Sequence, residues 1–329
     1  MAVYNGQSYL RETIESILNQ TFKDFEFLII DDGSTDQSAT IIHEFRDVRI
    51  KYVSNEKNKG LPFSLNRGLE LAQGEYIVRM DADDISVPSR LKKEVRFMDT
   101  HPEITACGSW IKTIGHDAGY VHKYLTSPED IKASLLFNTS MAHPTVILRK
   151  SDLLKYNLHY NTNFSYYEED YDLWVKISQH KKLANIPSVL LFYRLHQKSV
   201  TYVNVEKRKA GVSYIRKEQL KKLGLSPSEN EMRIHNSLVP DKGESVLSFM
   251  EKESVWFIKI LSANKKIPVY RTGSLNKVLF NRWRTIAGLN AKNGLFVWKK
   301  FYTSPLFKIG GPKKYFDSFK IFVKCVLKK

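Results

Sequence analysis

The run Arg79-Met80-Asp81-Ala82-Asp83-Asp84 places three carboxylates within four residues, directly after the apolar stretch Tyr76-Ile77-Val78. A carboxylate at the end of a buried strand is costly unless something cationic meets it. Two aspartates at i and i+2 beyond a strand end can reach one hard divalent ion, because Mg²⁺ and Mn²⁺ prefer oxygen ligands and are often shared with substrate phosphates. An ordinary Asp-rich turn has the same composition, so its neighbours in the chain must decide the chemistry.

A second acidic turn follows another apolar strand. Phe25-Glu26-Phe27-Leu28-Ile29-Ile30 runs into Asp31-Asp32-Gly33-Ser34-Thr35-Asp36. In open α/β sheets ligands bind outside the carboxyl ends of the strands. Two acidic clusters at such ends therefore point to one polar site facing a nucleotide and its metal. Adding Val3-Tyr4-Asn5-Gly6, Ile14-Glu15-Ser16-Ile17-Leu18-Asn19-Gln20-Thr21-Phe22 and Gly74-Glu75-Tyr76, the chain resembles the family 2 glycosyltransferases of the GT-A fold, of the bacterial polysaccharide or lipid-linked glycan type. The resemblance is dense from residue 1 to about 110 and looser to about 200.

The resemblance implies an inverting enzyme that uses a nucleotide sugar and Mn²⁺ or Mg²⁺. Asp81 and Asp83, flanking Ala82, would hold the metal diphosphate, with Asp83 the direct ligand. Asp84 would join them or turn away to cap the following turn. Asp31 and Asp32 would contact the base and ribose, Asp32 above all, since ribose hydroxyls and a pyrimidine N–H are donors that suit a carboxylate. One of them could instead cap the next helix, with Asp36 as rival. Val3, Tyr4 and Asn5 would line the base pocket, with Lys59, Asn66 and Arg67 as further candidates. A UDP-sugar is the expected donor, from family frequency alone.

A single displacement needs one side chain to take the acceptor hydroxyl's proton. Tyr166-Tyr167-Glu168-Glu169-Asp170-Tyr171-Asp172-Leu173-Trp174 is similar to the family's Glu-Asp motif, and Asp170 matches the base. Acids at a helix start are also favoured by the dipole, which leaves a purely structural explanation open. Trp174 reads as core. His196 would approach the metal and His143 the acceptor pocket. The Gln-Xaa-Xaa-Arg-Trp motif of processive synthases is not found after Asp170; Asn281-Arg282-Trp283 echoes it too far downstream. One sugar per encounter is the expectation.

Charge divides the chain. Residues 1–199 hold 24 Lys and Arg against 26 Asp and Glu, whereas 200–329 hold 27 against 9. A catalytic domain over 1–205 is expected, with a nucleotide half to about 110 and an acceptor half over 111–205. A basic helical region over 206–329 would follow. Cys107 and Cys325 match no metal or redox spacing, and no signal-peptide pattern opens the sequence. A cytoplasmic protein is expected, peripheral on the inner face of the membrane. The first strand is short for this family, which would expose neighbouring strand edges.

Apolar spacing predicts helices over about 8–20 (with Ser8 as cap), 37–45, 63–72, 88–99, 128–137 and 171–178. Strands are predicted over 25–30, 50–53, 76–80, 104–111, 145–148 and 188–195. The alternation argues for a mostly parallel α/β sheet flanked by helices. In the basic region Trp256, Phe257, Phe280, Trp283, Phe296, Trp298, Phe301, Tyr302, Tyr315, Phe316 and Phe319 interleave with Lys and Arg. Amphipathic helices of this kind lie at anionic membrane surfaces, so a lipid-linked or glycan acceptor is expected there, and nucleic acid is not. Three alternatives stay open: a solvated basic face over a helical core in place of the membrane reading, a sugar-nucleotidyltransferase, whose Gly-rich phosphate loop is missing, and a degenerate module acting as a membrane-associated partner.

Overall fold

A computed structural model describes residues 1–116, 118–162, 168–196 and 205–328. The chain divides into two compact units. The first comprises Met1–Ile131 with Thr139–Val212, and the second Lys132–Asn138 with Ser213–Lys329.

The first unit opens with β1 (Ala2–Val3), α1 (Leu10–Leu18), β2 (Phe27–Asp31), α2 (Ser38–Glu44), β3 (Ile50–Ser54), α3 (Leu61–Leu71) and β4 (Tyr76–Val78). It continues with β5 (Ile85–Ser86), α4 (Arg90–Thr100), β6 (Ile104–Gly115), β7 (Val121–His122), α5 (Pro128–Ser134), β8 (Ile147–Arg149), α6 (Lys150–Lys155), α7 (Glu169–Ile177) and β9 (Lys182–Leu195). Leu10, Ile14 and Ile17 are buried along one side of α1, the i, i+4, i+7 spacing that defines its inward face. Ser8 does not cap this helix: Tyr9 is the N-cap, and the Gly6 carbonyl accepts from Tyr9 and Leu10 N–H.

β1, β2 and β3 form a wholly parallel sheet. The second sheet runs β4-β8-β6-β9-β5, with β7 on β6. It is mixed. β6 and β9 pair in parallel, while β4–β8, β5–β9, β6–β7 and β6–β8 are antiparallel. Parallel pairing is thus concentrated in the nucleotide half and in the β6–β9 pair. β9 starts earlier than its apolar run suggests. Pro187 interrupts the pattern, and the register steps from Ser109↔Ile186 to Trp110↔Val189, so the proline sits in a bulge where no ladder N–H is required.

β1 covers only Ile30 and Asp31 of β2. Beside it lies a cavity of about 680 Å³, whose lining includes Phe27, Leu28 and Ile30 of β2, and Tyr76 and Val78 of β4.

The second unit is helical: α8 (Val205–Lys222, whose first residues belong to the first unit), α9 (Glu229–Asn236), α10 (Val246–Lys266), α11 (Thr272–Leu289), α12 (Leu295–Thr303), α13 (Pro305–Lys308) and α14 (Lys314–Leu327). Its core contains Trp256, Phe257, Phe280, Trp283 and Phe301. These aromatics, expected at a membrane surface, hold the bundle together instead. Arg282 is buried with them and donates to the carbonyls of His235 and Ser237, both at 2.7 Å.

Glu253 on α10 is fully buried, and neither carboxylate oxygen has a hydrogen-bond partner among the described residues. Burial raises its pKa from 4.5 to about 8, against the opposing pull of Arg282 and Arg233. With the folded pKa above the unfolded one, its stability contribution is complete below about pH 4.5 and is lost as pH rises through 8. Glu253→Gln is therefore expected to stabilise the protein at pH 8 by roughly 4 kcal/mol and to change little at pH 4.5, read by urea unfolding. An equal effect at both pH values would rule out a buried charge as the cause.

Candidate active site

The acidic turn after β4 is built on one buried guanidinium. Arg79 is 6% exposed and meets Asp81 with two nitrogens, Nη1–Oδ2 at 2.6 Å and Nη2–Oδ1 at 2.5 Å. Its backbone is fixed on both sides: the N–H donates to Val146 O at 2.9 Å, and Arg90 Nη2 donates to its carbonyl at 2.8 Å. Arg90 is itself buried and paired with Glu94 at 2.9 Å. Thr13 Oγ1 on α1 reaches the carbonyls of Ala82 and Asp84, at 3.1 and 2.9 Å.

Asp81, Asp83 and Asp84 converge, one carboxylate oxygen of each lying within 4.8 Å of the others. Asp84 does not turn away. Its Oδ1 accepts from Arg194 N–H at 2.8 Å, and its buried Oδ2 has no hydrogen-bond partner among the described residues. Burial, followed by the charges of Asp81 and Asp83, holds the Asp84 carboxyl well above its usual range. Asp83 is raised too, first by burial and then by Asp81. Its Oδ2 lies 2.9 Å from His196 Nε2, and Arg194 Nε donates to its carbonyl at 2.8 Å.

Three hard oxygen donors around an orphaned buried carboxylate oxygen form a donor set suited to Mg²⁺ or Mn²⁺. His196 is placed to add a nitrogen. The residues present fit a divalent ion.

At the end of β2 both carboxylates are buried and bonded. Asp31 accepts from Ser34 N–H and the Tyr52 hydroxyl, each at 2.9 Å. Asp32 accepts from Asn55 Nδ2 at 2.6 Å, Lys59 N–H at 3.0 Å and Gly60 N–H at 2.9 Å. Asp32 therefore organises the 55–60 loop. Gly33, at φ 73°, lets the turn press on that loop, since a Cβ there would lie 2.6 Å from the Lys57 carbonyl carbon. Asp36 supplies the acceptor at the start of α2, to Ser38 N–H at 2.9 Å. Asn5, at φ 51°, ties the first loop to this turn by accepting from Thr35 N–H at 2.8 Å.

The other nucleotide-side candidates separate clearly. The Val3 side chain is buried in the core, and its carbonyl accepts from Asp32 N–H at 2.8 Å. Tyr4 is 50% exposed. Asn66 is committed at both ends of its amide, donating to Tyr160 O at 2.8 Å and accepting from Tyr160 N–H at 2.9 Å. Arg67 donates to Ser54 O and Asn55 Oδ1, and Lys59 Nζ sits over the Phe63 ring.

In the acceptor half, Tyr166 and Tyr167 lie outside the described residues. α7 begins at Glu169, so Asp170 stands in its first turn, partly exposed, with Oδ1 accepting from Tyr171 N–H at 2.8 Å. Burial raises the Asp170 carboxyl above its usual range, and Arg79 and Arg208 oppose this. Glu169 is raised to about 7, by burial and then by Asp170. Glu168 pairs with Arg208 at 3.0 Å. His143 Nε2 lies 3.0 Å from the Tyr160 hydroxyl, and its Nδ1 lies 3.8 Å from Glu169. Burial and Arg79 hold this imidazole well below its ordinary pKa, so it is neutral. Trp174 is fully buried core, as its position suggested.

Arg79 is the residue that sequence reasoning passed over. Its charge acts on Asp81, Tyr160 and Glu169 together, although it stands openly at the head of the acidic run. Arg194 was also missed. Two residues before His196, it donates to Asp83 O and pairs with Glu12 at 2.5 Å.

The sequence profile described as "Glycosyl transferase family 2" matches residues 1–158. A Haemophilus influenzae protein described as an uncharacterized glycosyltransferase is 34% identical over 291 residues, 85% of this chain and 81% of its own length. The Escherichia coli UDP-Glc:alpha-D-GlcNAc-diphosphoundecaprenol beta-1,3-glucosyltransferase WfaP is 32% identical over 203 residues, 61% of this chain and 78% of that one. Among solved structures, residues 1–349 of S. aureus TarS in complex with UDP-GlcNAc superpose with a TM-score of 0.57 at 17% identity, covering 100% of this chain and 90% of that one. That likeness shows a shared fold.

Asn66→Ala should cost roughly 2 kcal/mol in urea unfolding, because both backbone polar groups of buried Tyr160 lose their partner. The amide's double engagement predicts less than about a two-fold change in nucleotide affinity for the folded variant. A larger loss, measured calorimetrically, would mean that Asn66 also reaches the donor.

Proposed function

The chain belongs to glycosyltransferase family 2, and on that premise we propose that it moves one sugar per encounter from a UDP-sugar to a hydroxyl of a glycan or lipid-linked acceptor, inverting the anomeric carbon. Residues 1–205 form the catalytic domain in this reading, and 206–329 a basic helical extension. The observation that carries it is the convergence of Asp81, Asp83 and Asp84 on one point, with Asp84 Oδ2 buried and unpartnered. Such a cluster suits the divalent cation that accompanies a diphosphate. The E. coli relative's name, which specifies a UDP-Glc donor and a diphosphoundecaprenol-linked acceptor, supports the choice of both classes.

Asp81 and Asp83, with Asp84 and His196 beside them, would hold Mn²⁺ or Mg²⁺. When bound, the ion supplies Lewis-acid stabilisation to the departing diphosphate. Arg79 orients Asp81 by bidentate contact. On the nucleotide side, Tyr4 offers an exposed ring to the base, and Asn5, Asp31 and Asp32 set the loops around it.

Asp170 takes the proton from the acceptor hydroxyl. Its carboxyl is raised by burial yet drawn down by Arg79 and Arg208, so it stays an acceptor of moderate basicity. Glu169 precedes it on α7, His143 lies against Glu169, and Tyr160 joins the group through His143. A base at the start of α7 also gains from the helix dipole, which stabilises the carboxylate.

Calorimetric titration of UDP, with and without Mn²⁺, is expected to show metal-dependent binding that Asp83→Ala abolishes. Asp170→Asn should leave that binding within about two-fold and lower turnover by roughly 10²-fold or more. Normal turnover in Asp170→Asn would move the base elsewhere, with Glu169 the next carboxylate to substitute.

A further inference from the structure

The helical unit carries an apolar face that its own core does not use. α14 turns Ser318, Ile321 and Cys325 inward, each under 5% exposed. At about 100° per residue, Tyr315, Phe319, Val323 and Val326 fall on a different side of the helix, with Phe316 and Leu327 at its margin. Tyr315, Phe316 and Phe319 are 61%, 59% and 61% exposed. Lys313, Lys320 and Lys324 are exposed along that same margin. Buried Phe307 backs this face from the core, its ring centroid 5.6 Å from Tyr315 and 4.7 Å from α12 residue Tyr302, which is 44% exposed. Leu295 and Phe296 of α12 are also exposed.

We propose that this α12–α14 face docks on an anionic lipid bilayer, immersing Tyr315, Phe316 and Phe319 in the interface and setting Lys313, Lys320 and Lys324 against the headgroups. The proposal deepens the lipid-acceptor part of the preceding reading and does not depend on the catalytic residues. Aromatic rings bordered by lysines match the depth profile of a bilayer interface, apolar below and anionic above. Asp317 is the single acid between residues 254 and 329, and Arg284 pairs with it at 3.1 Å. No uncompensated negative charge therefore opposes the headgroups on this helix. A second copy of the chain fits the face less well, since two-fold pairing would set one lysine margin against the other.

The test is co-sedimentation of the full chain with phosphatidylcholine vesicles, with and without phosphatidylglycerol. Binding is expected only with the anionic lipid, and it should weaken as salt is raised. Phe316→Ser/Phe319→Ser should lower vesicle affinity roughly ten-fold or more, with an unchanged circular dichroism spectrum. Lys313→Gln/Lys320→Gln/Lys324→Gln should lower it about five-fold per lysine. Equal binding by wild type and both variants would overturn the proposal. So would a concentration-dependent dimer, without vesicle binding, that the phenylalanine substitutions abolish. Titration of UDP into the same variants keeps the two readings apart: failure on vesicles with UDP binding intact counts against this face alone, and the converse against the donor site alone.

Discussion

The buried guanidinium of Arg79 is the charge on which the acidic cleft depends. Asp81, Asp83 and Asp84 stand close enough to repel one another, and burial already drives Asp83 and Asp84 toward protonation. Bidentate contact gives Asp81 a fixed counter-charge beside its two acidic neighbours. The same cation tempers Glu169 and Asp170, so both acidic groups share one source of positive potential. Its position is not left to the side chain. Val146 and Arg90 grip the backbone of Arg79, and Glu94 grips Arg90 in turn.

The second constraint lies at the end of β2. Asp32 gathers Asn55, Lys59 and Gly60 with three hydrogen bonds, making the 55–60 loop an extension of the strand. Asn5 and Asp36 tie the first loop to the same turn. The carboxylates expected to meet a nucleotide thus also shape the walls around it. A buried acid that accepts several hydrogen bonds holds a loop more firmly than apolar contact would, because leaving those donors unpaired is expensive. In the proposed reading, function and local stability rest on the same atoms.

The helical unit shows how little composition says about location. Its interleaved aromatic and basic residues read alike along the chain, yet Trp256, Phe257, Phe280, Trp283 and Phe301 fill the core while Tyr315, Phe316 and Phe319 face outward. Arg282 goes inward with the first group, its charge spread over two carbonyls and the Phe137 ring. Helical phase separates the two sets, and phase matters only once a partner helix has chosen a face.

The sequence by itself determined the alternating strands and helices of the first half, the two acidic strand ends and the family they belong to. Those features are local: periodicity, turn residues and short motifs act over a few positions, where the chain's own geometry decides. It also pointed to Asp81 and Asp83 by type and spacing, and to Asp170 and His196 through the family resemblance. Only the tertiary structure decided that Asp84 joins its neighbours, that Asn66 is spent on Tyr160, and that Arg79 acts on both acidic groups. It also set the second sheet's mixed pairing, with Pro187 accommodated in a bulge of β9. Each of these depends on residues tens of positions apart meeting in space. Burial then sets what a charge or an amide must bond to, and no spacing along the chain records that.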